Sequence, residues 1–291
     1  MCIRDRENTS VIYISTGGFK DLAFDEVVLR LNNYGITAFE LSGGRYTEQI
    51  KEKLLSLSLS NNLAIHNYFP PHEPPFVFNL ASLNAEIVEK SISHAKLSID
   101  YAALIGSGVY SFHAGYLIDP IVKELGEKIN KRLINPRDKS MDLFISRVNK
   151  LSEYAESKNV KLMIENNVLS HKNYLEFGDC PLMMVELEET AEIMGKTNEN
   201  VGLLIDVAHV KVSAQTLGFS GQEYLQEFKS LASAYHFSEN NGLSDDNNPV
   251  TEKSWFWPFI NKDLDYYSLE IYENDGDLLK SQLELTKGFL S

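Results

Sequence analysis

The sequence predicts an α/β protein, a single-domain (β/α)8 TIM barrel, and three observations support this fold. Eight short apolar segments alternate with amphipathic segments along one chain of 291 residues, a pattern typical of a parallel sheet covered by helices. No break in composition divides the chain, and 43% of its residues are hydrophobic, which is enough for one large core. Barrels of about 250 residues are commonly single domains. We therefore expect one barrel over residues 10–291.

Each predicted strand is a short apolar run bounded by glycine, proline or polar residues. In chain order the strands are Val11–Ile14, Ile36–Leu41, Leu63–His66, Val109–His113, Lys161–Asn167, Gly202–Val210, Ser233–Glu239 and Tyr266–Tyr272. The sixth shows the pattern most clearly, because its apolar run ends in Asp206 and His209 follows three residues later. Alternation along this strand places Leu203, Ile205 and Val207 on one face and Asp206 on the other.

The predicted helices show apolar residues at helical spacing, and glycine or proline marks several of their ends. They are Phe24–Asn33, Glu48–Leu59, Leu80–Ile105, Met141–Ser157, Leu182–Met194, Gly221–Ser233 and Asp277–Leu290. Residues 116–137 are expected to form an insertion with some helical character.

Charge and cysteine content narrow the function. The net charge is −14 without a dense run of Lys and Arg, whereas a protein that binds duplex DNA needs a cationic face. This disfavours nucleic acid as the main partner. Cys2 and Cys180 give no disulfide framework, which favours a cytoplasmic location. No apolar run approaches the roughly 20 residues of a membrane span. Residues 1–9 lack the apolar region of a signal peptide and are expected to be a disordered or foreign leader.

Polar residues lie at or near the ends of seven predicted strands, where (β/α)8 barrels carry their active sites. They are Glu40, His66, His113, Glu165, Asp206, His236 and Glu270. In strands five, seven and eight these side chains alternate with bulky apolar residues, as a site inside the barrel requires. Glu40 either positions a ligand or bonds its own loop.

Four of these residues predict a divalent metal site. Three carboxylates converging in a barrel mouth would repel one another unless a cation compensates their charge. The mixed oxygen and nitrogen ligands suit Mn²⁺, Mg²⁺, Co²⁺ or Zn²⁺. The alternative is four unrelated polar residues that cap loops. The predicted ligands, one from each of strands five to eight, are Glu165, Asp206, His236 and Glu270.

Several segments resemble the signature of the sugar phosphate isomerase/epimerase family, within the xylose isomerase-like barrels that also include endonuclease IV. These segments are Ile164–Asn166, Asp206–His209, His236 and Leu269–Ile271. The resemblance extends from Val11 to the C terminus. It implies an enzyme that isomerises or epimerises a sugar or sugar phosphate by proton transfer through a metal-stabilised enediolate. It also implies that the four predicted ligands hold one metal, that Glu165 and Glu270 move the proton, and that His209 contacts the substrate.

Two interpretations stay open for His66 and His113. They either contact substrate hydroxyl groups as ordinary polar residues, or, by the resemblance to endonuclease IV, bind a second metal that Glu165 bridges. A further endonuclease IV metal uses the His209 position and an Asp-x-His motif in the loop after strand seven. We align Asp245 and Asn247 with that motif, and an amide is a poor substitute for imidazole on zinc.

The sequence therefore predicts a metal-dependent sugar or sugar phosphate isomerase/epimerase. The alternatives are a zinc-dependent phosphodiesterase or hydrolase of the endonuclease IV type, and a barrel that binds a metabolite without catalysis. An aromatic set could line a sugar pocket or form a contact within a homo-oligomer. This set is Tyr68, Phe69, Trp255, Phe256 and Trp257.

Overall fold

Eight parallel strands close into a barrel in chain order, and β8 pairs with β1. The strands are β1 (Val11–Ser15), β2 (Ala38–Ser42), β3 (Asn62–His66), β4 (Val109–His113), β5 (Lys161–Glu165), β6 (Val201–Asp206), β7 (Ala232–Phe237) and β8 (Tyr266–Leu269). This computed structural model describes residues 10–291, so the predicted leader of residues 1–9 lies outside the described residues. The barrel confirms the predicted fold class.

Helices surround the barrel and follow each strand along the chain except β7, which leads to β8 without a helix among the described residues. They are α1 (Phe24–Asn32), α2 (Ile50–Ser58), α3 (Ala85–Leu104), α4 (Arg137–Glu156), α5 (His171–Phe177), α6 (Leu187–Lys196), α7 (Val207–Leu217), α8 (Gly221–Phe228) and α9 (Gly276–Leu290). The insertion of residues 116–137 carries a short 3₁₀ helix, Val122–Glu124. Among the helices of residues 10–291, none is both long and apolar enough to cross a membrane.

Alternation along the strands separates two apolar layers. The outward faces of the strands pack against the helices in one large cluster, which includes Ile164, Leu203, Ile205, Tyr235 and Leu269. A small cluster fills the barrel interior and consists of Ala64, Met163, Leu204, Ala234 and Tyr266. The next inward positions, two residues further along these strands, therefore lie near the C-terminal mouth of the barrel. On β3, β5, β6 and β7 those positions are His66, Glu165, Asp206 and His236.

The sixth predicted strand was wrong beyond Asp206. β6 ends at Asp206 and α7 begins at Val207, so Val207 lies in a helix rather than on the strand face of Leu203 and Ile205. The Asp206 carboxylate accepts a 2.8 Å hydrogen bond from the His209 backbone N–H. This side chain satisfies one of the free N–H groups in the first turn and so begins the helix.

Candidate metal centre

The barrel mouth brings the four predicted ligands together. Glu165 ends β5, Asp206 ends β6, His236 lies in β7, and Glu270 follows β8 directly. One potential ligand atom of each lies within 4.8 Å of the others, and all four side chains are buried. Four separate strand ends thus supply one compact group of ligands.

The His236 ring lies at the centre of this group. Its Nδ1 atom is 3.0 Å from Glu270 Oε2, 3.3 Å from Glu165 Oε1 and 3.9 Å from Asp206 Oδ2. On its other side, Nε2–H donates a 2.9 Å hydrogen bond to Glu40 Oε2. The nitrogen that faces the acids is hydrogen-bonded to Glu270, and it would become a metal ligand if a cation took the place of its proton.

The residues fit a divalent cation. Within residues 10–291, neither oxygen of Glu165 nor Asp206 Oδ2 has a hydrogen-bond partner, although all three atoms are buried. Buried polar atoms are normally paired, and an unpaired buried carboxylate is costly. A cation placed among three carboxylates and one imidazole would compensate these atoms, and this donor set suits Mn²⁺, Mg²⁺, Co²⁺ or Zn²⁺.

A second group shares Glu165 on the opposite side. His66 Nε2 lies 3.3 Å and His113 Nδ1 3.5 Å from Glu165 Oε2. These three side chains also satisfy the distance criterion for a cation site. The Ser111 hydroxyl lies 2.9 Å from His66 Nδ1 and holds the ring. Glu165 thus stands between the four-residue group and the two histidines.

His209 lies in the first turn of α7, beside this centre. Its Nδ1–H donates a 2.8 Å hydrogen bond to the Asn166 carbonyl oxygen, and its Nε2 lies 3.2 Å from Asp245 Oδ2. This contact is consistent with the loop alignment that the sequence suggested for Asp245. Asn247 is also buried, and its backbone takes a left-handed conformation with φ of 48°.

A family model described as the xylose isomerase-like TIM barrel matches residues 28–259. The chain belongs to this family. The match agrees with the resemblance seen in the strand-end segments. A search of curated protein sequences finds no significant match.

Solved structures of similar fold agree with this xylose isomerase-like barrel. A D-tagatose 3-epimerase-like protein aligns with a TM-score of 0.70 at 17% identity, covering 96% of each chain. A protein from Thermus thermophilus, soaked with ZnCl2, gives 0.62 at 17% identity over 95% of this chain and 98% of that one. A 3-keto-D-glucoside 4-epimerase from E. coli aligns with a TM-score of 0.64 at 10% identity, covering 96% of this chain and 100% of that one. At these identities the likeness concerns the fold.

Burial and neighbouring charges act in opposite directions on Glu165 and His236 in this xylose isomerase-like barrel. Burial raises the pKa of Glu165, but the surrounding histidines, His113 first, lower it well below its usual range. Burial lowers the pKa of His236, but Glu40 and Glu165 raise it well above its usual range. The metal-free centre therefore favours an ionised Glu165 beside a protonated His236.

Two further acids of the centre differ in their protonation. Burial raises the pKa of Asp206 to about 7, an effect that His209 partly offsets and Asp245 reinforces. Burial also raises the pKa of Glu270, but the hydrogen bond and charge of His236 lower it to about 2. Near neutral pH the metal-free protein thus holds Glu270 ionised and Asp206 partly protonated.

Sequence reasoning missed the partnership between Glu40 and His236. Glu40 bonds His236 across the barrel and also accepts hydrogen bonds from the Tyr266 and Ser268 hydroxyl groups. The alternation Ala38, Glu40, Ser42 within β2 could have indicated that the carboxylate points inward.

The aromatic set mostly forms core rather than a pocket wall. Phe69 and Phe256 are fully buried, and Trp257 is 5% exposed. Trp257 stacks on Phe289 of α9 with ring centroids 4.6 Å apart. The expectation that these three rings line a sugar pocket or a subunit contact was therefore wrong. Tyr68 and Trp255 are only partly buried.

Proposed function

We propose that this chain is a metal-dependent isomerase or epimerase of a sugar or sugar phosphate. One observation carries the proposal, namely the convergence of three carboxylates and an imidazole in the barrel mouth with buried, unpaired oxygens. Membership of the xylose isomerase-like family and the fold shared with a D-tagatose 3-epimerase-like protein add support.

The proposed reaction removes a proton from the carbon next to the carbonyl of a ketose. A divalent cation held by the four ligands would act as a Lewis acid on adjacent substrate oxygens and stabilise the enediolate charge. Glu165 and Glu270 are the proposed proton carriers. The histidine charges that lower the pKa of both carboxylates keep them ionised, which is the form that accepts a proton.

The placement of these two carboxylates bears on the type of reaction. Glu165 ends β5 and Glu270 follows β8, so they reach the centre from different strands. Two carboxylates on opposite faces of the substrate can take and return a proton, which inverts a carbon. A single carboxylate can instead carry the proton between neighbouring carbons, which moves the carbonyl group.

Three histidines around the centre are proposed to contact the substrate. The Asn166 carbonyl fixes the ring of His209, which leaves Nε2 beside Asp245 for a sugar hydroxyl. His66 and His113 approach the opposite side of Glu165 and could bind further hydroxyl groups or a second cation.

This sharing of Glu165 favours a second candidate, a zinc-dependent hydrolase of the endonuclease IV type. His66 and His113 could complete a second metal site, and His209 with Asp245 could form part of a third. Asn247 and the net charge of −14 oppose this candidate, because the third site loses an imidazole and phosphodiesters are anionic. A barrel that binds a metabolite without catalysis is the remaining alternative.

A ketose panel tests the proposal. The protein, stripped with EDTA and reloaded with Mn²⁺, Co²⁺, Mg²⁺ or Zn²⁺, is assayed on free and phosphorylated ketoses in D2O. We expect deuterium at the carbon next to the carbonyl, which a binding protein would not introduce. Metal analysis should give one or two ions per chain. Three zinc ions per chain with cleavage of abasic-site DNA would support the hydrolase instead.

The proton-transfer role is tested with Glu270→Gln. Loss of a general acid–base group should lower turnover by about 10²–10⁴-fold. Glu26→Gln is the control, because Glu26 is a surface carboxylate paired with Arg45. Full turnover by Glu270→Gln with metal still bound would show that Glu270 does not carry the proton.

A further inference from the structure

Glu40 is a buried carboxylate outside the four proposed ligands. It is 0% exposed, and each of its oxygens accepts hydrogen bonds from inside the barrel. Oε2 accepts from His236 Nε2–H at 2.9 Å and from the Tyr266 hydroxyl, and Oε1 accepts from the Ser268 hydroxyl at 3.0 Å. Its lone pairs are therefore engaged by donors from β7 and β8.

The contact between Glu40 and His236 crosses the barrel interior. Two strands, β8 and β1, separate β2 from β7 around the barrel. Ser268 of β8 pairs with His236 in the strand register, and its hydroxyl donates to Glu40. A contact that spans the interior in this way fixes the ring plane as well as the position of the histidine.

This hydrogen bond determines which nitrogen of His236 can bind a cation. An ionised carboxylate only accepts hydrogen bonds, so the nitrogen that faces Glu40 must carry the proton. Nδ1 bonds Glu270 in the same way at 3.0 Å, so a cation among the acids would displace the Nδ1 proton, whereas Glu40 retains the proton on Nε2. The neutral imidazole then has its single N–H on Nε2 and its lone pair on Nδ1. Nδ1 is the atom that lies within 3.9 Å of Glu165, Asp206 and Glu270 oxygens.

We propose that Glu40 is a positioning residue that fixes the tautomer and orientation of His236, so that Nδ1 is presented to a divalent cation. The inference rests on the metal site of the proposed function. A ligating histidine commonly donates its second N–H to a carboxylate, which raises its basicity and holds its ring. Glu40 occupies that place here, on the Nε2 side of the His236 ring.

Metal affinity in matched variants tests this role. Protein stripped with EDTA is titrated with Mn²⁺ alone by calorimetry. We expect Glu40→Gln to weaken binding about 10–100-fold, because a glutamine amide can turn its NH2 group toward Nε2 and favour the wrong tautomer. Ser268→Ala removes another hydrogen bond to Glu40 but keeps the carboxylate–histidine contact. It should bind within about threefold of wild type if the role belongs to that contact.

A second measurement needs no change at Glu40. In wild-type protein loaded with Zn²⁺ and labelled with ¹⁵N-histidine, NMR should show an exchange-protected Nε2 proton on His236 and a coordinated Nδ1. Loss of the signal in His236→Gln assigns it. Coordination through Nε2 would overturn the proposal, even if Glu40→Gln fails to fold.

The outcomes separate this inference from the proposed function. If wild type binds Mn²⁺ and folded Glu40→Gln binds it with the same affinity, only the role of Glu40 is overturned. Wild type that binds neither Mn²⁺ nor Zn²⁺ refutes the metal site, and the role of Glu40 with it. A selective loss in Glu40→Gln, with Ser268→Ala close to wild type, supports the inference.

Discussion

Divalent cations should raise the melting temperature of this protein. The four proposed ligands are buried and close together only in the folded chain, so a cation binds the native state far better than the unfolded one. At a free metal concentration of about 100 times Kd, this adds about 2.7 kcal/mol of stability. A chain of 291 residues has an unfolding entropy of about 0.6 kcal/mol/K, so the melting temperature should rise by about 4–5 °C.

Calorimetric melting of EDTA-treated protein, with and without Mn²⁺, Co²⁺, Mg²⁺ or Zn²⁺, measures the shift. Asp206→Asn is the informative variant, because asparagine also caps helices well and should preserve the start of α7 while removing a charged ligand. We expect it to lose most of the shift. Glu26→Gln, at the surface, should keep it. A full shift in Asp206→Asn would refute the assignment of the four residues to one cation.

Three further predictions, one of which compares two glycines, concern stability and local order. Burial lowers the pKa of His94 from 6.5 to about 4, so the unfolded chain takes up a proton at a higher pH than the folded one. The neutral ring therefore contributes fully to the free energy of unfolding above pH 6.5, and about 3 kcal/mol of that free energy is lost as the pH falls to 4. Urea unfolding of wild type and His94→Gln should show that the difference in their free energies of unfolding shrinks by that amount between pH 6.5 and pH 4. A difference that stays constant with pH would contradict the lowered pKa. A Cβ on Gly115 would lie 2.4 Å from a neighbouring alanine Cβ, so Gly115→Ala should cost about 1–3 kcal/mol in the same assay. Gly195 lies within α6, and a Cβ added there would have no other atom within 4 Å. Gly195→Ala should therefore stabilise the protein by about 0.5–1 kcal/mol. Equal effects of Gly115→Ala and Gly195→Ala would refute the packing argument. The Glu124 carboxylate accepts from two backbone N–H groups of its own insertion, so Glu124→Gln should speed limited proteolysis of residues 118–135.

Alternation along the strands explains why much of the site could be predicted. Met163 and Leu204 fill the barrel interior, and the acids two residues later, Glu165 and Asp206, lie at its mouth. A strand buried on both faces tolerates a carboxylate mainly at its end, so the position of the acid in the sequence carries structural information. The convergence of four strand ends then follows from closure of the barrel.

The start of α7 and the presence of α5 were not predicted. The residues after Asp206 stay apolar because the beginning of α7 is buried. Neither the two-residue period of a strand nor the 3.6-residue period of a helix therefore marks the change from strand to helix. Capping was the alternative to a metal site for the four polar residues, and the structure shows Asp206 capping a helix while it also lies within the acidic cluster. Helix α5, His171–Phe177, is only seven residues long, too short for a clear helical period.

The two most buried glutamates of the barrel, Glu40 and Glu165, differ in their hydrogen bonding. Glu40 and Glu165 are both 0% exposed, so both bear the desolvation cost of a buried carboxylate. Glu40 is bonded to three donors, whereas among the described residues neither Glu165 oxygen has a hydrogen-bond partner. Stability alone would favour pairing both. A carboxylate that has only longer histidine contacts, beside one that is fully hydrogen-bonded, is the arrangement expected when Glu165 serves a ligand and Glu40 holds the histidine that faces it.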